Sequence, residues 1–151
     1  FANLNTTVVG DYDKPKVRLP GGGGAPEIAT NCGEIFITMQ MSRRAFVERL
    51  DFVTSLGHGD GAGAREKLGV RTRGPTRIVT DLCVMEPDPE TRELTVVSLH
   101  PGATREKVAA ECAWPLRFVD HPAETTPPTG DELAILRDLH ARTARAHGAD
   151  A

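Results

Sequence analysis

The sequence predicts an α/β domain, on three observations. Two β-rich runs, "TRIVTDLCVM" from Thr76 to Met85 and "ELTVVSL" from Glu93 to Leu99, flank the turn "EPDPET", the pattern of an antiparallel hairpin over about residues 76–99. Thr129 with Glu132 three residues on is a capping box, and Leu133, Leu136 and Leu139 fall close together on the helix it starts. Upstream, short β-rich and helical runs follow one another with no internal repeat.

Taken in order, Thr6-Thr7-Val8-Val9 is a short strand ended by Gly10-Asp11, and Tyr12 to Pro20 is a charged, proline-containing loop. Four glycines follow, Gly21 to Gly24, and then Ala25 to Thr30 makes one or two helical turns stopped by Asn31 and Gly33. Glu34 to Met39, "EIFITM", is apolar enough for a strand covered on both faces. Ser42 can cap a short helix from Arg43 to Leu50 with Phe46, Val47 and Leu50 on one face, and Asp51 to Ser55 reads as another strand. The stretch from Gly57 to Gly74, rich in glycine and charge without an apolar period, is expected to be a mobile surface loop. After the hairpin, Thr104 caps a helix running to Cys112, and Leu116 to Val119 is a further short strand.

With 151 residues, 39% of them apolar, and a mean hydropathy of −0.29, one globular domain over 1–151 is expected. A net charge of −3 and a pI near 6.0 give no basic stripe, which argues against nucleic acid as a partner. The absence of a bilayer-length apolar run or a signal-peptide layout points to the cytoplasm and away from membranes. The first residue is Phe1, not methionine, and a piece of a longer chain is expected. Cys32, Cys83 and Cys112 are odd in number and lack ligand spacing to any histidine, so neither disulfides nor a metal site is expected.

Four adjacent glycines ask for an explanation, since each costs about 0.5–1 kcal/mol relative to alanine inside a regular element. GxGxxG fails, because Pro26 stands at its third glycine, and no phosphate-loop lysine follows. Two readings stay open. One is a flexible connector. The other is a loop of unobstructed N–H groups that can approach a carbonyl oxygen or thioester, running into a helix start that favours negative charge. Arg43 and Arg44, beyond the next strand, could hold phosphate or carboxylate bidentately, or simply lie solvated at a helix start. Glu27 beside the glycines is the one carboxylate placed to be a nucleophile, although a first-turn helix acid is the preferred reading. His58 in the glycine-rich loop is a candidate mobile acid or base, although an idle exposed histidine is the preferred reading; His100 serves a turn, and His121, His140 and His147 read as solvated. No GxSxG or HExxH is present.

Read together, "NLNTTVVGDYDKPKVRLPGGGGAPEIA", "DFVTSLGHGDG", "TRIVTDLCVMEP" and "VVSLHPGATREKVAAE" resemble the second half of the β subunit of family I coenzyme A transferases, from about Asn3 to the last helix. Ala2 departs from the pattern, which has glycine before the asparagine. The resemblance implies an open α/β/α sandwich, an assembly with an α subunit and with the N-terminal part of the β subunit, and coenzyme A as a substrate rather than a tightly bound cofactor. It implies ping-pong transfer of CoA from succinyl-CoA to a 3-oxo acid, 3-oxoadipate being the acceptor suggested, through a thioester on a glutamate. In the family that glutamate sits in an ESG-like motif of the first half, and this sequence contains no such motif. The GxGG loop matches Gly21, Gly22, Gly23 and Gly24, with Gly23 similar to the glycine whose backbone N–H helps form the oxyanion hole. Arg43 or Arg44 falls where the family has a basic residue on CoA phosphate. CoA-ester hydrolysis or ring opening on the same scaffold, and a non-catalytic ligand-binding or interaction module, are the competing expectations.

Overall fold

The computed structural model describes residues 1–148. A two-stranded antiparallel ribbon, β1 (Val8–Gly10) and β2 (Pro15–Arg18), precedes α1 (Ala25–Asn31) and β3 (Ile35–Thr38). Then come α2 (Ala64–Lys67), β4 (Pro75–Val79), β5 (Cys83–Pro87), β6 (Leu94–Leu99), α3 (Arg105–Ala110), β7 (Arg117–Glu124) and α4 (Gly130–Ala146). Five strands form one open sheet in the order β3-β4-β5-β6-β7. The three central strands are an antiparallel meander, and the outer strands β3 and β7 run parallel to their neighbours. Pro122 is tolerated in β7 because an edge strand leaves one row of N–H positions free of ladder bonds.

The core lies on one face of this sheet. Ile78, Met85 and Val96 from adjacent strands pack against Val108 and Cys112 of the α3 region and against Met41 and Phe46. Thr104 caps α3 through its hydroxyl, which accepts from the Lys107 N–H at 3.2 Å. The capping box at α4 is complete, Thr129 and Glu132 bonding reciprocally. Among the described residues no helix is long and apolar enough to cross a membrane.

Several expectations need correction. The run Thr76–Met85 is two strands rather than one side of a single hairpin: Thr80 Oγ1 accepts from the Leu82 and Cys83 N–H groups and folds the chain between β4 and β5. The hairpin around "EPDPET" is therefore β5–β6, within a longer meander. The strand at Thr6–Val9 is displaced to Val8–Gly10, and the supposed loop after it holds β2. There Asp11 Oδ1 caps a tight turn by accepting from Asp13 and Lys14 N–H, and the Arg18 guanidinium covers the Tyr12 ring at 4.7 Å. Beyond Ser42 only one turn forms, not a helix to Leu50. Ser42 O accepts from Ala45 and Phe46, and the Phe46 carbonyl that would continue a helix accepts from Ala113 N–H at 2.9 Å instead. Residues 51–55 contribute a single bridge, Leu4 to Ser55, rather than a strand. Phe36 on edge strand β3 is 60% exposed, so β3 is covered on one face only within this chain.

The largest correction concerns residues 57–74. Much of this stretch does lie at the surface, but it is not a mobile loop: it holds α2 and is anchored by a buried polar knot. Arg65 on α2 and His58 ahead of it are each only 4% exposed. Five N–H groups of Arg65 reach the carbonyls of Ala29, Leu56, Gly57 and Thr72 and the Thr72 hydroxyl, at 2.6–3.3 Å. Thr72 Oγ1 in turn donates to Thr30 O at 2.9 Å. The guanidinium thus sits at the carbonyl end of α1, where helix geometry favours a cation.

Candidate active site

The glycine loop is held at both ends and bare in the middle. Gly21 N–H donates to Thr6 O at 2.7 Å, and Gly22 O accepts from Ala25 N–H at 2.9 Å as α1 begins. Between these anchors, Gly23 adopts φ +50°, a left-handed conformation that glycine takes without penalty. Gly23 and Gly24 are exposed, and among the described residues their N–H groups meet no protein acceptor. A methyl group added at Gly21, Gly23 or Gly24 would touch nothing within 4 Å, so the space above the loop is open. Gly22 is different. A methyl there would lie 2.9 Å from Thr54 Cγ2 and 3.0 Å from Pro26 Cγ.

Thr54 therefore backs the loop closely. Its hydroxyl also accepts from Thr6 N–H at 2.9 Å and shares a 2.7 Å hydrogen bond with Thr7 Oγ1, fixing the residue whose carbonyl holds Gly21. Thr54 is not legible as a site residue from sequence, because a lone threonine in "DFVTS" carries no signal of what it will face. Glu27 stands exposed in the first turn of α1, a position that suits a helix acid.

The two arginines are placed apart from each other's work. Arg43 Nη1 donates to Cys112 O at 3.2 Å and Ala110 O at 3.4 Å, where α3 ends. Arg44 is exposed, and among the described residues it makes no hydrogen bond or ion pair. No bond joins either guanidinium to the glycine loop. An apolar cavity of about 290 Å3, walled by Ile37, Met39, Phe46, Leu50, Val53 and Trp114, opens beside β3, and none of the four glycines lines it. The loop thus presents donors with no opposite wall among the described residues.

Neither buried cysteine is a thiolate: burial pushes the Cys83 and Cys112 thiols above the usual value. Among the described residues no three metal-ligating side chains gather. His100 bridges Thr125 Oγ1 and Thr80 O, tying the β4–β5 turn to the end of β7. His121, His140 and His147 are exposed.

His58 is not a mobile acid or base, because it is locked in the knot. Its Nε2 lies 2.7 Å from Pro75 O, which can only accept, so this nitrogen carries the proton. Burial lowers its pKa from the ordinary imidazole value, opposed by the Pro75 carbonyl and reinforced by Arg92 and Arg65. The unfolded chain titrates near 6.5 and holds more protons than the folded chain between its depressed value and that point. Stability is therefore fully present above about pH 6.5 and declines as pH falls toward the folded value. The urea midpoint is expected to be lower at about pH 5.5 than at about pH 7.5, above the range where carboxylates protonate. His58→Gln, which keeps a donor for Pro75 without a titrating ring, should flatten that dependence.

Residues 1–111 match the family of coenzyme A transferases. The β subunit of the 3-oxoadipate CoA-transferase of Pseudomonas knackmussii is 55% identical over 148 residues, 98% of this chain and 57% of that protein. The crystal structure of glutaconate coenzyme A-transferase from Acidaminococcus fermentans superposes with a TM-score of 0.82 at 35% identity, covering 89% of this chain and 52% of that one. That likeness shows the open α/β/α sandwich. The IpdB subunit of the cholesterol ring-cleaving hydrolase of Mycobacterium tuberculosis is 27% identical over 137 residues, 91% of this chain and 54% of that protein. The chain spans about half the length of the relatives it matches.

Proposed function

Because the chain belongs to the coenzyme A transferase family, we propose that it is the C-terminal portion of a CoA-transferase β subunit, supplying backbone donors to the transition state of CoA transfer. The single observation that carries this reading is Gly23: exposed, at φ +50°, with an unclaimed N–H and open space above it. A donor held in place before reaction stabilises charge that develops on the thioester oxygen and needs no reorganisation when it does. Gly21, Gly22 and Gly24 let the thioester approach the main chain, and Arg44 remains free to meet a CoA phosphate. Arg43 would have to leave the α3 carbonyls to do the same.

In this proposal a glutamate outside the chain attacks the acyl carbon of succinyl-CoA, forming a mixed anhydride and freeing the CoA thiolate, which then attacks the glutamyl carbonyl to form the enzyme thioester and release succinate. The CoA then passes to a 3-oxo acid, with 3-oxoadipate favoured by the likeness to the Pseudomonas protein. The N-terminal part of the same subunit and an α subunit would supply the glutamate and the opposite wall of the site. The oligomer is a heteromer in this reading, and a cytoplasmic location goes with it.

A second reading is hydrolysis of a CoA ester, since the scaffold is shared with a subunit of a ring-cleaving hydrolase and the same donors would serve attack by water. One assay separates the two. The complete enzyme is incubated with succinyl-CoA and 3-oxoadipate, and free thiol is measured beside the two CoA esters. Beyond one equivalent per site, succinyl-CoA should be consumed only when the acceptor is present, with 3-oxoadipyl-CoA and succinate formed in equal amounts in turnover. Free CoA released without the acceptor would mean hydrolysis and would overturn the transferase reading.

A further inference from the structure

The glycine loop lies at one end of α1, and at the other end is a second cleft with different chemistry. It has a volume of about 350 Å3 and lies between the 58–73 segment, the start of β4, the end of β5 and the β5–β6 turn. Its charged lining is uneven. Arg73 is paired with Glu34 at 3.0 Å, and Glu86 is paired with Arg77 at 3.0 Å, so these pairs add little net charge. Arg65 is buried, and its donors are committed to carbonyls and to Thr72, so it contributes field but no free N–H. Arg71 and Arg92 have no ion-pair or hydrogen-bond partner for their guanidinium groups among the described residues. Glu66 alone opposes the three arginines. The cleft is locally positive on a chain whose net charge is −3.

Two further features point to a ligand. His58, only 4% exposed, lines this cleft, and while Nε2 is bonded to Pro75 O, Nδ1 has no partner among the described residues. Arg92 is held at φ +66°, a conformation that costs a non-glycine residue about 1 kcal/mol or more. The turn that holds it is rigid: Arg92 N–H donates to Asp88 O, and Asp88 Oδ1 accepts from the Glu90 and Thr91 N–H groups and the Thr91 hydroxyl. A glycine would sit there without strain, so the strained arginine marks what its side chain is for.

We propose that this cleft is a binding site for a tetrahedral oxyanion, a phosphate or sulfate group, gripped by Arg71 and Arg92 with His58 Nδ1 as a third contact. Guanidinium groups match such oxyanions with paired N–H donors. His58 makes the site pH-sensitive, since Nδ1 donates only when the ring is cationic. The charged groups facing the ring are Arg92 on the β5–β6 turn and Arg65 on α2, with the Pro75 carbonyl of β4 on the opposite edge. Burial and both cations disfavour the charged ring, and a bound anion offsets the cations, so binding and protonation of His58 favour each other.

Sulfate is the suitable probe, because its own charge does not change across the range in which His58 titrates. Sulfate is titrated by calorimetry into the full-length protein in its natural assembly, with chloride at matched ionic strength as control, and the His58 ring resonances are followed by NMR. Saturable binding is expected, tighter at about pH 6 than at about pH 8, with the His58 signals shifting in step. Arg71→Gln and Arg92→Gly should each weaken binding by roughly tenfold or more, the loss of a charge-assisted contact. Arg92→Gly should do so without lowering the melting temperature, because it also relieves the φ +66° strain. Inorganic phosphate and phenyl phosphate, run in parallel, show whether the site takes a free ion or a phosphoryl group on a larger molecule. No saturable binding at either pH, or binding that survives both substitutions, would overturn the proposal.

Discussion

Arg65→Met is expected to lower the stability of the chain by about 3–5 kcal/mol, the scale of leaving several buried acceptors without their donors. The mechanism is loss of donors rather than loss of volume. Methionine fills much of the space but leaves the carbonyls of Ala29, Leu56, Gly57 and Thr72 without their present partner in the interior. Each unsatisfied buried acceptor costs about 1–3 kcal/mol, offset in part because the cation itself no longer has to be dehydrated. For a chain of this size the melting temperature should fall by roughly 6–20 °C. Arg65→Lys should recover only part of the loss. An ammonium has three donors and no planar fork, and cannot span acceptors on α1, the 56–57 segment and Thr72 at once. Chemical denaturation of the two variants beside the parent protein measures the difference. Parent-like midpoints for Arg65→Met would mean that the knot contributes nothing to folding.

Gly23→Val is expected to reduce turnover of the complete enzyme by about 100- to 1000-fold, the scale of losing one oxyanion donor. The main-chain N–H survives the substitution. What changes is access, because the valine methyls fill the open space through which a thioester oxygen would reach that N–H. The substitution also strains the φ +50° backbone, at a cost of about 1–2 kcal/mol. Gly24→Ala separates the two effects. Gly24 has φ −85°, which any residue adopts, and its methyl would meet no protein atom. It should leave the melting temperature unchanged, so a fall in kcat for that variant would report obstruction alone. Parent-like kcat in Gly23→Val, measured under saturating acyl-CoA, would remove the loop from the chemistry.

The parts of this fold that were legible in the sequence are those governed by local rules. The Thr129–Glu132 box, the Thr104 cap and the β5–β6 hairpin around "EPDPET" each depend on residues a few positions apart, and each formed where expected. The glycine loop was legible for the same reason, as a break in composition. The helix after Ser42 was misread because its apolar spacing is right but its fourth carbonyl, that of Phe46, is claimed by Ala113, 67 positions away. The 57–74 segment was misread more seriously. Glycines and charges ordinarily mark solvent, and nothing local says that Arg65 will meet the end of a helix 36 residues earlier in the chain. Ala2 was noted only as a departure from a family pattern. The structure gives it meaning, because at φ +53° it occupies a conformation in which glycine is the unstrained choice.

The partners of Arg65 also decide how the interior responds to its surroundings. The ion pairs Arg73–Glu34, Arg77–Glu86, Arg117–Glu93 and Arg142–Asp138 are all solvent-exposed and weaken as electrolyte is added. A guanidinium answered by peptide carbonyls has no carboxylate to be neutralised by acid and no counter-charge for dissolved ions to mask. The tether on α1, and through it the posture of the glycines at the far end of that helix, is built to persist in brine that would strip the surface of its pairings.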